Sequence, residues 1–281
     1  MNGGVLSHRS INWKEFACGW GAALINVSVT YPINKLIFRQ ILHGTKIYPA
    51  FLQLRSEGIH YLYRGILPPL CQKTLSLSIM FGVYEEVKRP LIQLGFNPYG
   101  AKAIGALVSG TTEVILMPFE RVQTILADSK HHTDFRNTLH VFRELGKFGI
   151  REYYRGLVPI ILRNGPSNVG FFILREEMQE RFPKYQNEFL RTSLEFLCGA
   201  MIGVILSTVF YPLNVLKIRM QSKIGGSFEN PWRVLLDIYN ERGGKVRYIY
   251  YGVQANYTRA FISWGVMNTA YEHLKSMVNE V

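Results

Sequence analysis

Only three of the 281 residues are cysteine, and Cys18, Cys71 and Cys198 fall singly in or beside apolar segments. An odd, widely spaced set gives neither a disulfide framework nor a metal-ligand pattern. No glycine-rich phosphate loop and no catalytic motif occurs, and the pair His131-His132 stands in a polar stretch expected to be a solvated loop. Acid is scarce: 20 Asp and Glu against 32 Lys and Arg leave a formal net charge of +12 and a pI near 9.6. Nucleic acid would suit that balance, but the cations are dispersed around apolar segments and no nucleic-acid module is present. The excess points instead to anionic solutes or anionic lipid headgroups. The residues before the first apolar run are too few for a secretory signal of normal form, so targeting information is expected to be internal. The sequons at Asn26 and Asn256 lie inside or at the edge of predicted helices and read as chance matches.

What is abundant is apolar sequence, 48% of the chain, at a mean hydropathy of +0.04. Phe16 to Ile33 and Phe196 to Leu216 carry no charged side chain, and each is long enough to cross a hydrocarbon layer of about 30 Å. Shorter uncharged runs lie at Thr74 to Tyr84, Gly165 to Leu174 and Ala260 to Tyr271. A soluble core would also give runs that short. Their recurrence at matching places favours membrane helices with one wet face over a soluble basic helical protein.

The recurrence is a threefold repeat. Each unit opens on a proline, Pro32, Pro118 or Pro212, and closes on Arg64-Gly65, Arg155-Gly156 or Tyr251-Gly252. Such a period means that one supersecondary unit is built three times, here over 1–97, 98–188 and 189–281, with function expected on the common axis. Each unit reads as a hydrophobic helix ending near the proline, a short amphipathic helix, and a second hydrophobic helix after the glycine. Thirteen residues before each proline stands Gly19, Gly105 or Gly199, and nine before stands Ala23, Ser109 or Gly203. Small residues at that spacing let membrane helices approach closely, and the prolines can kink the helices they occupy.

The segments Pro32-Ile-Asn-Lys-Leu-Ile-Phe-Arg, Pro118-Phe-Glu-Arg-Val-Gln and Pro212-Leu-Asn-Val-Leu-Lys-Ile-Arg, with Glu57-Gly58 and Tyr63-Arg64-Gly65 downstream, resemble the mitochondrial carrier family over nearly the whole chain. That resemblance implies an all-α fold of six tilted transmembrane helices in a pseudo-threefold barrel with short matrix helices. It further implies alternating access in the mitochondrial inner membrane, and no enzyme activity or cofactor. Family members close the matrix side by pairing an acid two residues after each proline with a base five residues after the next. Here the acid positions hold Asn34, Glu120 and Asn214, and the base positions Ile37, Gln123 and Lys217. One ion pair, Glu120 with Lys217, and one amide pair, Asn34 with Gln123, are therefore expected, while Asn214 facing Ile37 gains nothing comparable. Water access should hold each pair to about 1 kcal/mol or less. On the cytoplasmic side Tyr84, Arg175 and Tyr271 precede Glu85, Glu176 and Glu272, with Lys88, Gln179 and Lys275 three residues on. Two ion pairs and one charge-to-amide contact are implied there.

Seven residues after the closing glycines stand Gln72, Arg163 and Arg259, followed by Lys73, Asn164 and Ala260. The family resemblance puts this level of the even helices against substrate. Lys73, Arg163 and Arg259 then form a ring of cations at mid-depth, and intramembrane cations are costly enough to imply a function or a partner. Arginine forks match phosphate oxygens and lysine adds a point charge, so a phosphate ester is expected. Glu113 stands where the sister repeats have Val27 and Ser207, two helical turns before Glu120 and on nearly the same face. It is either a counter-ion for Arg163 or Lys73, or a reader of a positive or hydrogen-donating part of the substrate.

The strings Leu67-Pro-Pro-Leu-Cys-Gln-Lys-Thr74, Gly110-Thr-Thr-Glu113, Glu152-Tyr-Tyr-Arg-Gly-Leu-Val-Pro-Ile160, Arg163-Asn164 and Ile262-Ser-Trp-Gly265 resemble the branch of the family that carries NAD in animal mitochondria. That resemblance implies import of NAD+ as transported substrate, with the cations on its pyrophosphate and Asn164 and Trp264 on base or ribose. It implies anionic lipid such as cardiolipin as a partner and function as a monomer. A carrier of another nucleotide or of coenzyme A remains open, as does a membrane scaffold, although a scaffold should have lost the gates and cavity charges kept here.

Overall fold

The computed structural model describes residues 13–181 and 188–279, and among them every regular element is a helix. Repeat 1 is α1 (Trp13–His43), α2 (Ile47–Glu57) and α3 (Leu67–Gln93). Repeat 2 is α4 (Pro98–Thr112), α5 (Met117–Ala127), α6 (Thr138–Gly146) and α7 (Leu157–Arg181). Repeat 3 is α8 (Glu188–Val209), α9 (Tyr211–Ser222), α10 (Pro231–Glu241) and α11 (Val253–Asn279). Long helices pack neighbour to neighbour in a closed ring: α1 on α3, α3 on α4, α4 on α7, α7 on α8, α8 on α11, and α11 back on α1.

Helix starts follow from local chemistry. Asn97, Asn137 and Asn230 each accept a backbone N–H at the head of α4, α6 and α10, and Pro98 and Pro231 fill first-turn positions where no donor is needed. The prolines do not end their helices, as the sequence suggested; each chain of helix runs on past them. In repeat 1, α1 continues through Pro32 to His43. Repeat 2 breaks into a 3-10 turn at Glu113–Leu116, and repeat 3 bends by 64° between Val209 and Tyr211. Above the prolines, Thr30 Oγ1 donates to Asn26 O at 2.7 Å and Thr208 Oγ1 to Val204 O at 2.7 Å. Such back-bonding hydroxyls compete for helix carbonyls and favour a bend.

Among the described residues, Pro98–Ala127 and Leu157–Arg175 are long and apolar enough to cross a membrane, and the bent pair Leu197–Val209 with Tyr211–Ser222 makes a third candidate. Of the glycines that stand thirteen or nine residues before a proline, only Gly105 of repeat 2 is closely packed. A Cβ on Gly105 would stand 3.1 Å from the Tyr84 carbonyl oxygen, whereas Gly19, Gly199 and Gly203 would meet nothing within 4 Å. Gly199 and Gly203 face open space on the inside of the ring instead.

The closing glycines have one structural cause. Gly65, Gly156 and Gly252 all adopt positive φ, 85°, 89° and 100°, which glycine enters without a steric penalty. A Cβ on Gly65 would also lie 2.8 Å from Leu126 Cβ. In repeats 1 and 3 the residue before the glycine is held by its carbonyl: Tyr31 Oη donates to Arg64 O and Tyr211 Oη to Tyr251 O, both at 2.8 Å. The arginines of the motif reach into the next repeat, Arg64 to the carbonyls of His132 and Phe135, and Arg155 to those of Gly225 and Gly226.

His131 and His132 are therefore not a solvated loop. The His132 ring stacks on Tyr61 with centroids 4.7 Å apart, and His131 Nδ1 lies 2.9 Å from Asp134 Oδ2. Burial pushes the His132 imidazole down to about 4; Glu57 opposes the shift, and Lys35, Arg64 and Arg39 add to it.

Candidate functional site

Inside the ring lies a cavity of about 520 Å3. It lies within the range of small-molecule sites, about 300–1,000 Å3. Lys73 from α3, Arg163 and Asn164 from α7, Arg259 from α11 and Glu113 from the break after α4 all line it, and Asn34, Glu120, Gln123 and Lys217 line its lower part. Three different repeats thus contribute one cation each, because equivalent positions face a common axis. The Trp264 side chain lies outside the described residues, so only its place on α11 is defined.

The cations are not equally free. Arg163 donates from Nε to Asn164 Oδ1 at 2.9 Å and from Nη1 to Asn214 Oδ1 at 3.0 Å. Arg259 donates from Nη2 to Asn256 Oδ1 at 3.1 Å, while its buried Nε has no acceptor. No hydrogen bond or ion pair engages Lys73 among the described residues. Glu113 accepts from two neutral groups, Ser76 Oγ and Asn164 Nδ2, each at 3.2 Å. No described cation stands within ion-pair distance of it. Gly110 makes this arrangement possible: a Cβ there would lie 2.8 Å from the Asn164 carbonyl oxygen, so only glycine lets α4 come this near α7.

Below this level, Lys217 Nζ lies 3.4 Å from Glu120 Oε2, and Gln72 Nε2 donates to Glu120 Oε1 at 2.8 Å. No hydrogen bond joins Asn34 to Gln123 among the described residues. Asn214, expected to gain nothing, accepts from Arg163 instead, so a substrate-level cation adds a second tie between repeats 2 and 3, beside that of Glu120 with Lys217. Side-chain exposures of 9% for Lys217 and 16% for Glu120 also move that pair away from the surface regime assumed from sequence. Removing one partner of a buried pair costs about 3–5 kcal/mol.

At the opposite end, Glu85 pairs with Lys88 at 2.6 Å and Arg89 at 3.3 Å on its own helix rather than across a repeat boundary. Tyr84 is buried, stacks on Phe172 at 3.9 Å and lies under the Lys88 ammonium, while Tyr271 is half-buried. The Glu176, Gln179, Glu272 and Lys275 side chains lie outside the described residues.

Sequence reasoning missed a second set of ties. Lys35 and Arg121, each three residues past a proline, are fully buried and bridge to the following repeat. Lys35 Nζ donates to Leu126 O at 3.0 Å; Arg121 donates to Gln221 O and Lys223 O and pairs with Glu152 at 2.6 Å. In repeat 3 Val215 takes that place, and Arg242 donates to Ile41 O at 2.6 Å in compensation. A cation at the same offset from two prolines was the available signal.

Against known proteins, the sequence profile of the family described as mitochondrial carrier protein matches residues 9–94, 96–186 and 189–281. The chain belongs to the mitochondrial carrier family. It is a multi-pass carrier of the mitochondrial inner membrane, with the all-α, pseudo-threefold fold of that family, and not an enzyme. The mitochondrial nicotinamide adenine dinucleotide transporter SLC25A51 of Mus musculus is 47% identical over 267 residues, 94% of this carrier and 90% of the relative. Its Homo sapiens counterpart is 46% identical over 266 residues, with the same coverage. The mitochondrial nicotinamide adenine dinucleotide transporter SLC25A52 of Homo sapiens is 45% identical over 266 residues, again 94% of this carrier and 90% of the relative.

Proposed function

We propose that this carrier imports NAD+ into the mitochondrial matrix by alternating access, working as a monomer among anionic lipids such as cardiolipin. The observation that carries the reading is a cavity in which Lys73, Arg163 and Arg259 share a level with Glu113, a carboxylate that none of them pairs with directly. A pyrophosphate needs the cations, and a cationic nicotinamide ring needs the carboxylate. Relatives named as NAD transporters at 45–47% identity support it.

In this reading Lys73 and Arg259 meet the pyrophosphate first, because Lys73 is unpaired and Arg259 retains a free Nε. Arg163 joins them by releasing Asn214, which loosens the matrix side as the substrate is bound. Asn164 and Trp264 contact ribose or base. Glu120 with Lys217 and Gln72 form the matrix gate, together with Asn34 and Gln123. Tyr84, Glu85, Lys88, Glu176, Gln179, Tyr271, Glu272 and Lys275 form the cytoplasmic one.

Liposomes containing the purified carrier should take up labelled NAD+, and Lys73→Ala, Arg163→Ala and Arg259→Ala should each remove most of that uptake while still inserting. Wild-type liposomes no better than protein-free ones would end the reading. Normal uptake in any two of the variants would remove the cation ring from it.

A further inference from the structure

A second cavity, of about 650 Å3, opens beside the first toward the other end of the ring. The two share Phe171, Gly203, Ser207, Asn256 and Arg259, so Arg259 stands at their junction. Their chemistry differs. The lower cavity contains the acids Glu113 and Glu120, whereas among the described residues the upper one is lined by no acid, and by Arg175 and Arg259 as its charged groups. Its walls include the Phe171 ring, amides and hydroxyls of Asn26, Asn256 and Ser263, small residues of α8, and the apolar Val204 and Met267.

Three observations show that this space is kept open for an occupant. A Cβ on Gly199 or Gly203 would meet nothing within 4 Å, so these glycines serve the cavity rather than helix packing. Asn26 Nδ2 donates to Ser263 Oγ at 2.7 Å, but its Oδ1 is buried without a donor. Arg175 makes no hydrogen bond or ion pair among the described residues, and it stands where the sister repeats have Tyr84 and Tyr271. An unpaired intramembrane cation at a position that breaks the repeat calls for a functional partner.

Resting on the reading of NAD+ as substrate, we infer that the upper cavity is the adenosine subsite and that Phe171 and Asn26 select the adenine. The dinucleotide straddles Arg259, with its nicotinamide end in the lower cavity and its adenosine end toward the cytoplasm. Charge sets this polarity: the cationic nicotinamide ring is repelled by a space whose charges, among the described residues, are two arginines, and is accepted beside Glu113. Adenine is neutral and asks for a stacking face and an amide, because its N6 amine and N7 match an asparagine side chain. Phe171, which lines this cavity and meets Phe172 edge to face with centroids 5.7 Å apart, supplies the aromatic ring. Arg175 forms the outer rim. It lies twelve residues further from its closing glycine than Arg259 does from its own, about 18 Å at 1.5 Å per helical residue, and draws the incoming anion toward the deeper cations.

Competition against labelled NAD+ uptake by ADP, which carries the adenosine end, and by nicotinamide mononucleotide, which carries the other, tests this assignment. Phe171→Leu keeps apolar volume and loses the aromatic face. It should raise the half-saturating NAD+ concentration and the ADP inhibition constant about tenfold, the scale of one lost base stack, and leave nicotinamide mononucleotide unchanged. Phe171→Tyr should restore wild-type values. Gly199→Leu lines only the upper cavity and should weaken ADP selectively in the same way, which keeps the test independent of how Phe171 packs. If both competitors weaken equally, or neither changes in either variant, the adenosine subsite is wrong while NAD+ transport itself stands. Absence of NAD+ uptake by the wild type would instead end the underlying reading.

Discussion

Arg163 Nη1 donates to Asn214 Oδ1 at 3.0 Å. The bond joins a substrate-level cation of repeat 2 to a gate position of repeat 3, so phosphate and gate compete for one guanidinium. A neutral acceptor makes this tie weaker than an ion pair would be, since a carboxylate would add the attraction between two opposite charges. Asn214→Asp should therefore strengthen the closed matrix side and lower the maximal NAD+ uptake rate several-fold in liposomes. A rate equal to wild type would show that Asn214 is no part of the barrier.

Glu113 is the second point of test. Its partners Ser76 and Asn164 are neutral, which favours substrate reading over a counter-ion role. Glu113→Gln should reduce NAD+ transport strongly and shrink the preference for NAD+ over NADH and ADP as competitors. If the rank order is unchanged, and neutralising Lys73 or Arg163 rescues transport, the carboxylate is only a counter-ion.

For Glu120 and Lys217, the largely buried geometry predicts that Glu120→Gln alone lowers the thermal midpoint in detergent. Exchanging the charges, Glu120→Lys with Lys217→Glu, should restore part of both stability and uptake. A double variant no better than its singles would mean that the two do not act as a pair.

Arg121 and Glu152 are exposed by 0% and 3%, whereas Arg181 is 79% exposed beside Glu177. Removing one partner of a buried pair costs about 3–5 kcal/mol, and an exposed helical pair contributes about 0.3–0.5 kcal/mol. Arg121→Leu should thus lower the unfolding midpoint by many degrees and Arg181→Ala by almost nothing. Similar shifts for both would contradict the buried bridge between repeats 2 and 3.

Protonation of His132 supplies a pH test. Folding lowers its pKa from 6.5 to about 4, so the unfolded chain takes up the proton first. Its contribution is complete above pH 6.5 and is lost as pH falls through 6.5 toward 4. Between pH 7.5 and 5.5, where carboxylates stay ionised, the wild-type midpoint should fall and that of His132→Gln should fall less. Identical pH profiles would place the sensitivity elsewhere.

The threefold period, the spanning helices and the level of Lys73, Arg163 and Arg259 were legible in the chain, because a repeat places equivalent offsets at equivalent depths. The closing glycines were legible too, since positive φ leaves a residue-type signature. Tertiary structure alone decided which partner each group takes. Asn214 meets Arg163, Gln72 braces Glu120, and Arg242 supplies the bridge that Val215 cannot, because these contacts cross repeat boundaries whose rotation no single offset encodes. The same limit applies to Gly199 and Gly203: small residues at four-residue spacing fit a helix contact or an open wall equally well. Only the 64° bend in repeat 3 and the course of α11 made them the wall of a second cavity.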